Sequence, residues 1–382
     1  MRRTLLITND YPPVVSGIST FLYQLWKRLD PDFHTVLTPR VTGGKEFDRG
    51  KTVRVIRHPS FSGSGGLVKL INAVVQFFYA AYLIIFRGVK RIYGGQIWVS
   101  GTIGLLAKKI FGIPYYLWVY GGETTSVYMS GSFSDYWAKI LLKNAGSLLT
   151  ISDYCQKEFL DYGFPAEKCP IILPGVDSTV FTPGAPPKDL IVKRNTSGKK
   201  ILLTVARISE RKGHDLVIRA LPELLEKHPD ILYLIVGRGS DEGRLQELAE
   251  QLGVSEMVKF CGFVPDEELP DYYRLCDIYV MPNREIIDST DSIEGFGISF
   301  IEASACAKPV IGGKSGGAIE AVAAGISGYL IDPNSVDVFV EIVDKLLSDP
   351  DLCEQIGGQG RCRVEEEMDW RYQTETINKL AR

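Results

Sequence analysis

The chain has 382 residues, 45% hydrophobic and 23% charged, which is more material than one core usually serves and enough for two. Its seven cysteines are odd in number and scattered without a CxxC pair, which excludes a disulfide framework and a zinc site of paired cysteines, so a reducing, cytosolic setting is expected. The net charge of −3 conceals an asymmetry: residues 1–170 carry 20 Lys/Arg against 11 Asp/Glu, and the remainder 23 against 35.

In chain order, "TLLITN" reads as a short buried strand, too short an apolar run for a signal-peptide core. "DYPPVVSGIS" reads as a loop, and "STFLYQLWKRL" as a helix with Phe21, Leu22, Leu25 and Trp26 on one face. Strands are expected at "HTVLTP", "TVRVIRH", "QIWVSG", "PYYLWVYGG", "SLLTIS" and "PIILPG". Between Asp48 and Glu123 no acidic residue occurs while ten basic ones do. Within that window "LVKLINAVVQFFYAAYLIIF" is followed by "RGVKR". Lys69, Asn72 and Gln76 interrupt the run, which argues against a membrane span. It reads either as a buried helix or as a segment that docks on an anionic lipid surface, with Lys108, Lys109, Lys139 and Lys143 nearby in sequence. No recognition motif for nucleic acid accompanies these charges, and none is expected as a partner.

From Leu173 to Lys199 proline and glycine mark a linker. A second alternation follows, with strands "KILLTVAR", "ILYLIVGRG", "VKFCGFV", "DIYVMPN" and "PVIGG" separated by amphipathic helices. Strand–helix alternation in both halves predicts two doubly wound parallel sheets, whose ligands sit at the carboxyl ends of the strands and, in a two-domain version, in the cleft between domains.

The stretch "DSIEGFGISFIEASACAKPVIGGKSGG" sets Glu294 and Glu302 on either side of the glycine turn Gly295–Phe296–Gly297 that opens a helix near Ile298. Freed N–H groups and the helix dipole at such a turn suit a phosphate, and glycine lets the phosphate reach the backbone. Carboxylates before and one helical turn after it can accept hydrogen bonds from sugar and ribose hydroxyls. The ligand implied is a nucleotide sugar. Arg207, ending "LLTVAR", and Lys212, in "SERKGH", are cations suited to a diphosphate leaving group. Asp288 and Asp291 are spaced as in many solvated loops, so no metal and no cofactor is expected.

Taken together, "NDYPPVVSGIS", "VYGGE", "ILPGVDSTVFTP", "VARISERKG", "LIVGRG" and "EGFGISFIEASACAKPVIGGKSGG" resemble the retaining nucleotide-sugar glycosyltransferases of group 1 (family four) over nearly the whole chain. Among these, the N-terminal loop, "PNREIIDSTDSIEGFG" and "SGGAIEAV" look most like the phosphatidylinositol mannosyltransferases, which use GDP-mannose. The resemblance implies a GT-B α/β fold, two Rossmann-like doubly wound domains facing an interdomain cleft. It places an acceptor-binding domain at 1–172, a linker at 173–198, a donor-binding domain at 199–365, and at 366–382 a helix crossing back to the first domain. It implies that Arg207 and Lys212 hold the diphosphate, that Glu302 binds ribose, and that Glu294 binds the sugar hydroxyls near C3. The amides of Gly295, Phe296, Gly297 and Ile298 complete the cradle, Gly17 lets the N-terminal loop approach the diphosphate, and the base rests near Gly262.

The chain departs from the resemblance at Tyr120, where the family usually has a histidine. A tyrosine with a pKa of about 10 is a poor base at neutral pH, although front-face transfer can use the departing phosphate to take the acceptor's proton. The activity implied is metal-independent hexosyl transfer with retention, from GDP-mannose or a UDP-sugar to a lipid-linked or glycan acceptor. The location implied is cytoplasmic, peripheral on the inner face of the membrane. The alternatives are a nucleotide-sugar-binding subunit without transfer activity, and an epimerase or phosphorylase on the same fold.

Overall fold

The apolar segments of the N-terminal half pair into a parallel sheet, as their strand–helix alternation requires. The computed structural model describes residues 2–63, 65–122, 133–286 and 293–380. The first sheet contains Thr4–Ile7 (β1), His34–Pro39 (β2), Arg54–His58 (β3), Arg91–Gly94 (β4), Tyr115–Val119 (β5) and Ser147–Thr150 (β6), in the order β3-β2-β1-β4-β5-β6. The second contains Lys200–Val205 (β7), Ile231–Val236 (β8), Val258–Gly262 (β9), Ile278–Met281 (β10), Val310–Gly313 (β11) and Gly328–Ile331 (β12), in the order β12-β11-β10-β7-β8-β9. Counted from its own first strand, each sheet has the order 3-2-1-4-5-6 of the mononucleotide-binding folds. In the parallel register Leu6 lies opposite Val36 and Tyr93, and Leu202 opposite Tyr233 and Ile278. Strands β1 and β8 are buried along their whole length, which is why they read as unbroken apolar runs instead of alternating ones.

The chain divides into two compact units, Met1–Pro174 with Trp370–Arg382, and Gly175–Asp369. In the first, the helix Gly17–Trp26 starts at Ser16, whose hydroxyl accepts the Ser19 N–H, and buries Phe21, Leu22, Leu25 and Trp26. The helix Trp370–Leu380 joins that unit, with the Trp370 ring 5.8 Å from Phe21 and 5.6 Å from the Arg28 guanidinium. In the second, the helices His214–Lys227 and Val336–Ser348 cover one face of the sheet with apolar residues at spacings of three and four, among them Val217, Leu221, Phe339 and Val343. The proline- and glycine-rich stretch clusters with this unit from Gly175 onward, tied down by Arg361, which donates to the Phe181 carbonyl, and by Arg274, which donates to that of Thr182.

Two strand expectations need correction, and one strand was not expected. "QIWVSG" is a turn leading into the helix Val99–Phe111, and the strand lies just before it at "RIYG". The signal is hidden because β4 carries Arg91, buried in the strand with its guanidinium 5.0 Å from the Tyr116 ring. "PIILPG" makes only an isolated bridge from Ile171 to Thr150, because Pro170 and Pro174 lack the N–H groups a ladder needs. The edge strand β12 has no counterpart in the sequence reading.

Candidate functional site

In the second unit, β7 and β10 are neighbours, and the chain leaves them for opposite sides of the sheet. Such a switch point opens a crevice at the carboxyl ends of the two strands. After β7 come Arg207 and the turn Glu210–Lys212, and after β10 comes the segment that carries Glu294. The two loops are joined by the backbone: Arg284 N–H donates to the Arg211 carbonyl at 2.8 Å. Arg284 also pairs with Asp215 at 2.7 Å, on the first turn of the helix His214–Lys227. Asn283, fully buried, donates to the Ser315 carbonyl and accepts the Gly313 N–H, which ties the end of β10 to the turn after β11.

Glu294 is 9% exposed and receives two cations on one oxygen: Arg211 Nη1 and Lys212 Nζ each lie 2.5 Å from Oε2. Burial alone would raise its carboxyl, but the charges of Lys212 and Arg211 and their hydrogen bonds outweigh it and hold the group at about 2. Its carbonyl accepts the Gly317 N–H at 2.8 Å. A Cβ on Gly317 would lie 2.0 Å from the Gly295 carbonyl oxygen, so "GGKSGG" is glycine-rich in order to press against the turn that bears Glu294. Gly297 adopts φ +92° as the residue before the helix Ile298–Ala305, a conformation glycine adopts without strain.

Glu302 lies one turn into that helix and is partly buried, and Tyr273 Oη donates to its Oε2 at 2.6 Å. Burial pushes its carboxyl up to about 7 against the opposing Tyr273 bond, and the charge of Asp266 adds to the rise. The two carboxylates that frame the glycine turn are thus in opposite states, one locked as an anion and one titrating near neutrality. A diphosphate at the turn would find exposed Arg207 and half-buried Lys212 close to β7's end.

The remaining residues singled out in the sequence fall as follows. Gly295 and Ile298 are partly buried at the turn, whereas the Phe296 side chain points into the core. Gly262 ends β9, two strands from β7, with φ +69°, and its carbonyl accepts the Gly237 N–H. Gly17 and Tyr120 belong to the first unit. Nothing lies within 4 Å of a Cβ built on Gly17, so the unit itself does not demand glycine there. Tyr120 follows β5 and meets Phe21 edge-on with centroids 6.3 Å apart. The segment with Asp288 and Asp291 lies outside the described residues, among which no group of three or more His, Cys, Asp or Glu is arranged to hold a metal.

Two residues of this site escape the sequence reading. Arg211 stands beside Lys212 in "SERKG", and a second cation in so short a turn is a usable signal. Tyr273 carries no signal: in "DYYRLC" it is indistinguishable from Tyr272, whose hydroxyl instead accepts from Arg194 Nε at 2.8 Å.

Residues 188–363 match the family described as glycosyl transferases group 1. The chain is 31% identical over 385 residues to a GDP-mannose-dependent alpha-(1-6)-phosphatidylinositol monomannoside mannosyltransferase of Mycolicibacterium smegmatis, covering 98% of this chain and 97% of that one. It is 29% identical to a GDP-mannose-dependent monoacylated alpha-(1-6)-phosphatidylinositol monomannoside mannosyltransferase of Corynebacterium glutamicum, covering 99% and 97%. Among solved structures, Anabaena HepE in complex with UDP and glucose superimposes with a TM-score of 0.82 at 20% identity, over 99% of each chain. The sucrose-phosphate synthase of Thermosynechococcus elongatus does so with 0.78 at 20% identity, over 99% and 98%. The fold is therefore GT-B, and the chain belongs to the group 1 glycosyl transferases.

Proposed function

We propose that this glycosyltransferase moves a mannosyl group, with retention, from GDP-mannose to a lipid-linked acceptor. The observation that carries the donor site is the clamp of Glu294 by Arg211 and Lys212 at the glycine turn, with Glu302 one helical turn beyond. Glu294, kept ionised, accepts hydrogen bonds from hydroxyls of the transferred sugar. The amides at Gly295 to Ile298 hold phosphate oxygens, and Arg207 and Lys212 offset the charge that grows on the departing diphosphate. Glu302 accepts from the ribose hydroxyls. Gly17 and Tyr120 serve the reacting centre from the first unit, and the base rests on the strand end at Gly262. The full-length relatives that use GDP-mannose support guanosine and mannose over the UDP-sugar option.

The lipid-linked character of the acceptor has its own support. The helix Gly66–Arg87 is long and apolar enough to cross a membrane by length and composition, and its most apolar 18-residue window, with a mean hydropathy of 1.7, is only 28% buried. Leu67, Leu70, Val74, Phe78, Tyr82 and Phe86 lie exposed along it at spacings of three and four, a continuous outward stripe. Exposed Lys69 and Arg87 sit on the same helix, and exposed Lys108, Lys109 and Ile110 on the neighbouring helix Val99–Phe111. Apolar residues interspersed with basic ones suit the face of an anionic bilayer, on which the enzyme would lie peripherally.

Thermal unfolding in the presence of GDP, UDP, ADP and their sugar conjugates tests the donor. At 100 times its dissociation constant the true donor stabilises the fold by about 2.7 kcal/mol. A shift selective for GDP-mannose is the expected result; selectivity for a UDP-sugar would discard mannosyl transfer from GDP.

A further inference from the structure

Three polar side chains lie buried in the apolar interior of the second unit: Thr204 in β7, Tyr233 in β8, and His214 at the start of the helix His214–Lys227. Valine, phenylalanine and leucine would fill similar space without needing partners, so a polar trio here carries a cost that an apolar core avoids.

The three form a relay whose direction is set by its last member. The Val280 carbonyl in β10 can only accept, and it takes the Thr204 hydroxyl. Thr204 Oγ1 therefore accepts from Tyr233 Oη, 2.8 Å away, and Tyr233 Oη in turn accepts from His214 Nδ1 at 3.0 Å. Burial, with the charge of Lys212 behind it, pushes the imidazole down to about 4 against the pull of the Arg207 backbone, Asp215 and Asp241. At neutral pH the ring thus holds a single proton, on Nδ1. Burial also pushes the Tyr233 hydroxyl up, so it keeps the proton it donates.

Thr204 and His214 are the two stems of one loop. Arg207 follows Thr204 by three residues, and Lys212 precedes His214 by two. The first stem is fixed by backbone bonds, from Ala206 N–H to the Val236 carbonyl and from Ile208 N–H to that of Arg238, each at 3.0 Å. The second stem is held through side chains, His214 to Tyr233 and Asp215 to Arg284 at 2.7 Å. Tyr233 joins the stems to each other. Through Thr204 the same chain reaches β10 where it parts from β7: their ladder pairs Leu202 with Ile278 and Leu203 with Tyr279, and at the next step along β10 the Thr204 hydroxyl takes the Val280 carbonyl.

We propose that His214 and Tyr233 are positioning residues for the donor reaction: with Thr204 they lock both stems of the loop that carries Arg207 and Lys212, and so set the spacing of these two cations on the diphosphate. The inference rests on the donor reading, and its test separates the two.

The first readout is the 15N spectrum of the histidine rings in the full chain, with His214 assigned by its loss in His214→Asn. A ring protonated on Nδ1 alone at neutral pH is expected; one protonated on Nε2, or charged, overturns the relay whether or not any variant folds. The second is calorimetric titration with GDP against GMP and with UDP against UMP. The wild type should prefer the diphosphate. Tyr233→Phe and His214→Ala should each cut that preference about fivefold, the scale of one lost hydrogen bond, and leave monophosphate affinity unchanged. His214→Asn should restore it, because its amide N–H stands where the ring Nδ1–H stood. A network with only a structural role would weaken mono- and diphosphate alike, and that result overturns the proposal, as does an unchanged preference in Tyr233→Phe; either leaves the donor site standing. A wild type that binds none of the four nucleotides removes the donor reading and the proposal with it.

Discussion

Tyr273 Oη donates a 2.6 Å hydrogen bond to Glu302 Oε2, and this one contact opposes the burial that pushes Glu302 up to about 7. Ribose hydroxyls bind the carboxylate better than the acid, so affinity for GDP-mannose, whose doubly esterified diphosphate does not titrate here, should rise with pH. Between pH 6 and pH 8 the ionised fraction, and with it the affinity, grows about tenfold. Tyr273→Phe removes a bond that favours the anion and should move the midpoint upward. Glu302→Gln should flatten the profile. Calorimetric titration of GDP-mannose across this range decides it; a flat wild-type profile contradicts the role given to Glu302.

The same group sets a trend in stability. The folded-state value of Glu302 lies above its ordinary 4.5, so the native state holds the proton more tightly. Its contribution is fully present below pH 4.5 and is lost, at about 1.4 kcal/mol per pH unit, as pH rises toward 7. Glu294 has the opposite sign: its value of about 2 lies below 4.5, so its contribution is present above pH 4.5 and is lost as pH falls toward 2. In urea titrations Glu302→Gln should gain on the wild type between pH 5 and pH 7. A gain that fails to grow over that range would refute the sign.

Arg211 and Lys212 share Glu294 but differ in what they do. Arg211 is buried and holds the loops after β7 and β10 together through its carbonyl as well as its side chain. Arg211→Ala leaves Glu294 with half its compensation and should cost about 3–5 kcal/mol of stability. Lys212→Ala should cost less stability and lower kcat by about 10²–10³, the scale of one lost contact to developing charge. Denaturation midpoints and steady-state kinetics on both variants separate the two roles. Equal effects of the two substitutions on stability and on kcat would show that the division is wrong.

The site is legible where its residues are close in sequence. Glu294, the glycine turn and Glu302 lie within one short stretch, and Lys212 follows a strand by a few residues. The partnerships are not legible, because Arg211 and Glu294 are 83 residues apart, and Tyr273 and Glu302 are 29 apart. Only the sheet order brings the loops after β7 and β10 together, and strand order is not written in periodicity. A different obstacle hides β4, where a buried Arg91 breaks the apolar pattern that marks its neighbours and shifts the expected strand a few residues late. The helix Gly66–Arg87 shows the reverse problem, since an apolar stripe at helical spacing looks the same whether it faces a core or water.

Adjacent glycines in the helix Pro350–Arg363 provide a backbone test. A Cβ on Gly357 would lie 2.1 Å from the Ala307 carbonyl oxygen, just past the end of the helix that bears Glu302. A Cβ on Gly358 would meet nothing within 4 Å. Gly358→Ala should therefore stabilise by about 0.5–1 kcal/mol, the helical advantage of alanine. Gly357→Ala should destabilise, and by shifting the helix Ile298–Ala305 it should also weaken donor binding. Thermal melts with and without GDP-mannose read both effects; two variants that behave alike would mean that the packing against Ala307 does not matter.

The exposed stripe on Gly66–Arg87 makes the membrane reading testable without touching the fold. Phe78 and Phe86 are 66% and 70% exposed, so replacing both with aspartate removes little packing and should leave the melting temperature within about 2 °C, as for surface substitutions generally. On an anionic vesicle the same change removes two aromatic anchors and adds two repelling charges. Each phenylalanine is worth about 1.5–3 kcal/mol when fully buried, and each basic residue near the surface about 1 kcal/mol. The double variant should lose at least tenfold in partitioning to vesicles that contain phosphatidylserine. Charge reversal at Lys108, Lys109, Lys139 and Lys143 should do the same through the electrostatic part alone, and high salt should mimic it for the wild type. Release by the lysine changes but not by Phe78→Asp and Phe86→Asp would show that the bilayer meets the basic residues and that the stripe faces something else. Vesicle binding unmoved by either set would remove the bilayer from the proposed function, while donor binding at Glu294 and Glu302 would stand or fall on its own titration.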